Sequence, residues 1–384
     1  MADESVNILN VNMSIDPITG GGTAARTVQM SKALASMGNR CTILALDVGV
    51  SDDLRFQMAC AQVELLTLPC LFRRYYIPAL KFKLISRAVK SSDIVHLMGH
   101  WTLLNFLVFI AIRIHKKPYF VCPAGALPLF GRSKVIKTAY NFFVGNNIIR
   151  SASGYIAITE HEKHQFESYG VDSRNVDVIP NGINLEDFRS NNVADLRDAY
   201  QLGDKPFILF VGRLNPIKGP DLLLSAYLQL GEKVRNYNLV FAGPDGGLQQ
   251  DLLETIRDHQ VQNNVFFVGY LDGDRKSDLF HAADFLVIPS RQEAMSIVAL
   301  EAGACSTPIL LTEECGFNEI ESVGGGLVVS ATVNDIATGL SDMIERNNHS
   351  VMGQYLFDYV KENFTWDDVA MKIDRIYRRV IHRL

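Results

Sequence analysis

Short apolar runs bounded by Gly, Pro, Asn or Asp recur along the whole chain, and most are followed by a stretch of helical periodicity. In the first half these runs predict strands at Val6–Asn12, Cys41–Leu46, Val63–Leu66, Ile94–Leu97, Tyr119–Cys122, Gly154–Ile158 and Val176–Ile179. A loop ending in Gly20-Gly21-Gly22-Thr23 leads into a helix predicted from about Ala24 to Met37, with Gly38 as its stop. The second half repeats the rhythm at Phe207–Val211, Leu239–Ala242, Val265–Val268, Phe285–Ile288, Ile309–Leu311 and Leu327–Val329. Nearly continuous apolar strands alternating with helices imply parallel sheets covered on both faces. The expected class is α/β, with two Rossmann-like doubly wound domains joined near residues 182–205 and facing across a cleft at the carboxyl ends of their sheets. Residues 1–183, with a C-terminal helix over 364–384 (Val369, Ile373, Ile376, Val380), make the first domain and 184–363 the second.

Length agrees with that division, because 384 residues exceed what one ordinary core fills. Six cysteines (Cys41, Cys60, Cys70, Cys122, Cys305, Cys315) form no C-x-x-C pair, and five stand in apolar contexts, which predicts buried thiols in a reducing compartment and no metal. The start, Met-Ala-Asp-Glu-Ser, has neither the basic nor the apolar part of a signal peptide, so a cytoplasmic location is expected. The longest uncharged stretch, Ile94–Ile112, contains His96, Gly99, His100 and Asn105 and reads as strand, loop and buried helix, not as a membrane span.

Charge is unevenly placed. Between Cys70 and Arg150 stand 13 Lys or Arg against Asp93 alone, a local +12 inside a chain of net −5. These cations mix with Phe72, Tyr75, Tyr76, Phe82, Phe130, Tyr140, Phe142 and Phe143. Basic and aromatic residues together suit an anionic bilayer surface, so residues 70–150 predict peripheral contact at the inner face of a membrane, with a solvated charged face as the plain alternative. Nucleic acid is not expected, since no recognition motif accompanies the charge and the pI is near 6.0.

Three segments could carry chemistry. Gly20-Gly21-Gly22 lies between a strand and a helix, where bare amides and the helix dipole can meet an anion; the spacing does not fit G-x-G-x-x-G, and a simple flexible turn is the alternative. Strand Phe207–Val211 ends at Gly212, and Arg213 and Lys218 follow five residues apart, an Arg able to fork phosphate oxygens and a Lys as point charge. Glu293 and Glu301 bracket Ala-Met-Ser-Ile-Val-Ala-Leu, with Ser296 a plausible cap for a helix over Ser296–Ala304. Small apolar neighbours imply that Glu301 is buried and needs a partner.

These residues carry a resemblance. Gly20–Gly22, Val178-Ile-Pro-Asn-Gly-Ile-Asn184 with Phe188, Val211-Gly-Arg213 with Lys218-Gly219, and Glu293-x7-Glu301 followed by Gly303 and Thr307-Pro308 resemble the family-four retaining glycosyltransferases of the GT-B fold, over nearly the full length. The resemblance implies a nucleotide-sugar donor (UDP-, GDP- or ADP-sugar) on the second domain, a saccharide or lipid-linked saccharide acceptor on the first, and no required metal or cofactor. By position it implies that Arg213 and Lys218 hold the donor diphosphate, Glu293 faces the transferred hexose and Glu301 takes the ribose hydroxyls. Amides at Gly21 and Gly22 and the helix start at Ser296 and Ile297 approach the phosphate. His100, after strand Ile94–Leu97, either touches substrate or is a packed core histidine. Two departures stand out: Ala294-Met295-Ser296 where many relatives have Gly-Phe-Gly, and Ala124 where a related group has Arg. The expected activity is retaining hexosyl transfer to a polysaccharide or glycolipid of lipopolysaccharide or exopolysaccharide type. The rivals are a non-transferring nucleotide-sugar epimerase and a catalytically silent scaffold of the same fold.

Overall fold

The structure, a computed structural model, describes residues 5–128, 134–189 and 192–383. Phe130 and Arg132 of the basic region lie outside the described residues, as does the side chain of Lys134. The chain forms two compact units, Met1–Gly182 with Trp366–Leu384, and Ile183–Thr365.

Unit 1 contains β1 (Asn7–Val11), β2 (Arg40–Leu46), β3 (Glu64–Leu68), β4 (Cys70–Phe72), β5 (Ile77–Pro78), β6 (Ile94–Met98), β7 (Tyr119–Cys122), β8 (Gly154–Ala157) and β9 (Val176–Val178). Seven of them make one parallel sheet in the order β3-β2-β1-β6-β7-β8-β9. Every residue of β6 and β7 is buried, because parallel strands are covered on both faces. Strands β4 and β5 form a separate antiparallel ribbon that the apolar pattern does not announce. Helix Trp366–Ile381 packs on helix Pro17–Ser36. Its Tyr377 hydroxyl bonds His96 Nδ1, its Asp374 Oδ1 accepts from Asn39 Nδ2 at 3.0 Å, and its Arg379 pairs with Asp177 at 2.6 Å.

Unit 2 contains β10 (Phe207–Val211), β11 (Asn238–Ala242), β12 (Val265–Gly269), β13 (Phe285–Ile288), β14 (Ile309–Thr312) and β15 (Gly326–Val329) in one parallel sheet, ordered β12-β11-β10-β13-β14-β15. Phe210, Phe241 and Phe285 are fully buried in its core, each worth about 1.5–3 kcal/mol of burial. In both units the strand order reverses beside the first strand, between β1 and β6 in one and between β10 and β13 in the other. Open α/β sheets bind ligands in the crevice at such a switch point.

Three sequence expectations need correction. The loop expected through Gly20–Thr23 is largely helical: the helix starts at Pro17, capped by the Asp16 carboxylate on the amides of Ile18 and Thr19, and only Gly21 departs from it, at φ 55 and ψ −139. Four cysteines are buried, not five: Cys70 is intermediate and Cys60 exposed. Ser296 does occupy the N-cap of helix Ile297–Ala304, but its hydroxyl makes no capping bond. Among the described residues no helix is long and apolar enough to cross a membrane.

Candidate functional site

In unit 2 the loop after β10 is folded around Asn215. Its side-chain oxygen accepts from the Lys218 amide at 3.0 Å, its carbonyl from Gly219 at 3.3 Å, and Leu214 N donates to Pro244 O at 3.0 Å. Gly219 is left-handed at φ 69, and a Cβ there would stand 2.1 Å from the Pro289 carbonyl. That close approach presses the β10 loop onto the end of β13. Gly246 is likewise constrained, since a Cβ there would be 2.7 Å from Cγ of Arg213, whose stem lies across this glycine.

The loop after β13 is equally fixed. Glu293 N donates to Glu314 O at 2.9 Å and Ser296 N to Cys315 O at 3.0 Å, while a Cβ on Gly316 would be 2.2 Å from Ala294 O. Arg291 pairs with Asp221 at 2.6 Å. The two loops thereby bring Lys218 Nζ to 2.9 Å from Glu293 Oε1, which also accepts from Ser290 Oγ at 2.5 Å. Glu293 is not helical; the helix begins only at Ile297. Its first-turn amides have no partners within the helix, and Ser296 Oγ beside them is buried with no hydrogen-bond partner.

Glu301, one turn into that helix, is buried as expected, and its partner is Lys276 of helix Gly273–Ala282, at 2.7 Å to Oε1 and 2.6 Å to Oε2. Sequence reasoning required a partner for Glu301 but did not find this one. Burial pushes the neighbouring Cys305 and Cys315 thiols up to about 12, so both stay neutral.

At the switch point of unit 1, Gly20 follows β1 and cannot carry a side chain: a Cβ would be 2.6 Å from that of Ala24 and 2.9 Å from Ser14 O. Around Gly21 the space is open. His100, after β6, is 2% exposed and sits among the rings of Trp101, Tyr140 and Tyr169, with Nε2 at 2.8 Å from Asn141 Oδ1. Burial lowers it to about 4, opposed by the Asn141 bond, so it is neutral at pH 7.

Two further residues escaped the sequence reading. Arg26 is 0% exposed and donates to Ile179 O at 3.0 Å, Pro180 O at 2.6 Å and Asn181 Oδ1 at 3.1 Å. Its position among Ala24, Val28 and Met30 on the buried helix face was a usable signal. Glu162 accepts from Gly125 N at 2.6 Å and Ile158 N at 2.7 Å, which holds Ala124 and Gly125 left-handed at φ 53 and 79. Burial raises its pKa, against those two bonds. Among the described residues no group of three or more His, Cys, Asp or Glu could hold a metal ion. A cavity of about 320 Å³ between helix Gln249–Asp258 and β12 is lined by none of the candidate residues.

Fold and site define an α/β protein of two doubly wound parallel sheets, with a cation–carboxylate cluster at the switch point of the second. Residues 193–355 match the family described as Glycosyl transferases group 1, and residues 20–187 match Glycosyltransferase Family 4. The chain belongs to this glycosyltransferase family. It is 30% identical over 252 residues to D-inositol 3-phosphate glycosyltransferase 2 of Catenulispora acidiphila, covering 62% of this chain and 59% of that protein. To the D-inositol 3-phosphate glycosyltransferase of Nocardia farcinica it is 34% identical over 203 residues, covering 50% and 42%. The matches thus span about half the length of these relatives. A crystal structure of Anabaena HepE with UDP and glucose superposes with a TM-score of 0.79 at 19% identity, over 97% of this chain and 99% of that one, which shows the GT-B fold.

Proposed function

We propose that this chain moves a hexose, with retention, from a nucleoside diphosphate sugar onto a polysaccharide or glycolipid acceptor. The observation that carries this is the meeting of Lys218 and Glu293 at the switch point of unit 2, on two loops held by backbone contacts. A preorganised cation beside a preorganised carboxylate suits a substrate with an anionic link joined to hydroxyls. Residues 184–363 take the donor: Arg213 and Lys218 bind its diphosphate and absorb the charge of the leaving nucleotide, Glu293 accepts from the hexose hydroxyls, and Glu301 accepts from the ribose. The start of the helix at Ser296 and Ile297 adds a positive dipole, first-turn amides that have no partners inside the helix, and the Ser296 hydroxyl, which is buried without a hydrogen-bond partner. Residues 1–183 with 364–384 take the acceptor, with amides at Gly21 and Gly22 offered to an anion and His100 as a wall. The departing phosphate itself takes the acceptor proton, so no protein nucleophile is needed.

A thermal-shift panel of UDP-, GDP- and ADP-sugars tests the reading. One donor should raise the melting temperature, and Arg213→Ala should abolish the rise, a loss of at least about tenfold in affinity for a charge-assisted bond. A rise that survives the substitution removes Arg213 from the site. Product analysis without acceptor separates transfer from epimerisation, and no response to any donor would favour the silent scaffold.

A second reading concerns the partner of unit 1. Leu71, Leu80, Phe142 and Phe143 are 67%, 74%, 76% and 72% exposed, in a segment whose Arg73, Arg74, Lys81, Lys83, Arg87, Lys90, Arg113 and Lys116 are also exposed. Apolar side chains interspersed with cations fit peripheral docking on an anionic bilayer. In liposome flotation the protein should float with anionic vesicles at low salt and less at high salt; equal recovery with neutral vesicles removes the idea.

A further inference from the structure

The ammonium of Lys276 donates to Glu301 Oε1 at 2.7 Å and lies 2.6 Å from Oε2, which is itself buried and has no hydrogen-bond partner. Both side chains are largely out of solvent, 23% exposed for Lys276 and 11% for Glu301. Such contact does two things. It supplies the counter-charge that a buried carboxylate requires. It also fixes the plane of the carboxylate, because one cation touching both oxygens opposes rotation of the group. Each oxygen keeps further lone-pair capacity as an acceptor. A fixed pair of acceptors matches two hydroxyls on adjacent carbons, as in an intact ribose, and leaves one acceptor unanswered by a deoxyribose.

The Cys305 thiol is kept neutral by burial. Asp278 accepts from the Asn192 amide at 3.1 Å. Lys276 itself stands on a helix anchored by Ser277 and His281, which bond the carbonyls of Arg189 and Phe188.

We propose that Lys276 is a positioning residue that sets nucleotide specificity: by holding Glu301 as a fixed pair of hydroxyl acceptors, it makes unit 2 select ribonucleoside diphosphates over their deoxy counterparts. The inference rests on the reading of Glu301 as the ribose contact. Its test is calorimetric titration of the full chain with UDP, GDP and ADP and with the 2′-deoxy and 3′-deoxy analogue of each. Wild type should bind its preferred ribonucleoside diphosphate at least about tenfold tighter than either deoxy form, as expected for loss of a hydrogen bond to a charged group. Lys276→Met should shrink that ratio to about two or less, because the freed carboxylate can turn. Lys276→Arg should restore most of the ratio, which loss of general packing would not.

Should Lys276→Met fail to fold, the wild-type ratio and the Lys276→Arg variant still decide. Equal wild-type affinities for ribo and deoxy forms, or a Met variant with the full ratio, overturn the inference while leaving the donor reading intact, provided Arg213→Ala still abolishes binding. If wild type binds no nucleoside diphosphate, or Arg213→Ala binds as well as wild type, the donor reading fails and this inference with it.

Discussion

The two units reverse strand order at the same topological place, yet they put opposite materials there. Beside β10, unit 2 sets Lys218 against Glu293 and lays the stem of Arg213 over Gly246, with a second, part-buried pair, Lys276–Glu301, on the adjoining helices. Beside β1, unit 1 sets bare glycine backbone at Gly21 and a neutral His100 enclosed by aromatic rings. A doubly wound sheet decides where a ligand can sit, and the loops decide what it must be. Under the proposed function unit 2 takes a charged ligand with hydroxyls, whereas unit 1 offers amides, rings and a basic, partly apolar surface.

The largest test of that contrast is Gly219→Ala. The added methyl meets a backbone carbonyl at 2.1 Å in a left-handed residue, and neither the β10 loop nor the end of β13 can yield without breaking the Asn215 turn. The expected cost is about 4 kcal/mol or more, at the extreme of single substitutions. Hydrogen exchange should show unit 2 amides losing protection while unit 1 keeps its own. Unchanged protection in unit 2 would mean that the loop pairing is soft, and that the preorganisation argued for Lys218 and Glu293 is absent.

Acid should strike unit 1 through its histidines. Burial holds His96 down at about 3 and His100 at about 4, against about 6.5 in an unfolded chain. Above pH 6.5 both states are neutral and the two residues contribute no pH dependence. Below it the unfolded chain takes up protons that the folded unit refuses, so stability falls until the folded values are reached. At pH 5 the loss is about 2 kcal/mol per histidine. Glu162, raised by burial, works in the opposite sense at acid pH, so the comparison needs a variant. Urea unfolding at pH 7.5 and pH 5 should show a difference smaller by about 2 kcal/mol in His100→Gln; an identical difference would show that His100 is solvated in the folded protein.

Legibility in the sequence followed a physical divide. All thirteen strands of the two main sheets were visible to within two residues at each end, because strands covered on both faces are mostly apolar; the sheet-edge strands β3 and β9, which carry Glu64 and Asp177, keep enough Val and Leu to be read. The β4–β5 ribbon was not, being short, partly exposed and mixed with Arg73 and Arg74. At the site, positions after β10 and β13 could be read because strand ends are themselves readable. Partners could not: Glu162 reaches back 37 residues to Gly125, and Arg26 forward 154 to Pro180, and such pairings are fixed only by tertiary packing. Lys276 is the clearest case, since burial of Glu301 demanded a cation and several on nearby helices could have served.

The smallest effect, and the one that separates the two switch points most finely, is expected of Gly21→Ala. Gly21 carries a positive φ that an alanine resists, but a Cβ there meets nothing within 4 Å, and a straightened helix can recover part of the strain. The cost in stability should be about 1 kcal/mol, far below that of Gly219→Ala although both glycines follow the first strand of their sheet. Because the nucleotide is assigned to unit 2, the melting-temperature rise on adding nucleoside diphosphate should persist. Sugar transfer should fall, since the kink that turns the amides of Gly21 and Gly22 out of the helix would be lost. If the substitution instead abolishes the nucleotide response and leaves transfer measured at saturating donor intact, the division of labour between a charged and an uncharged switch point is wrong.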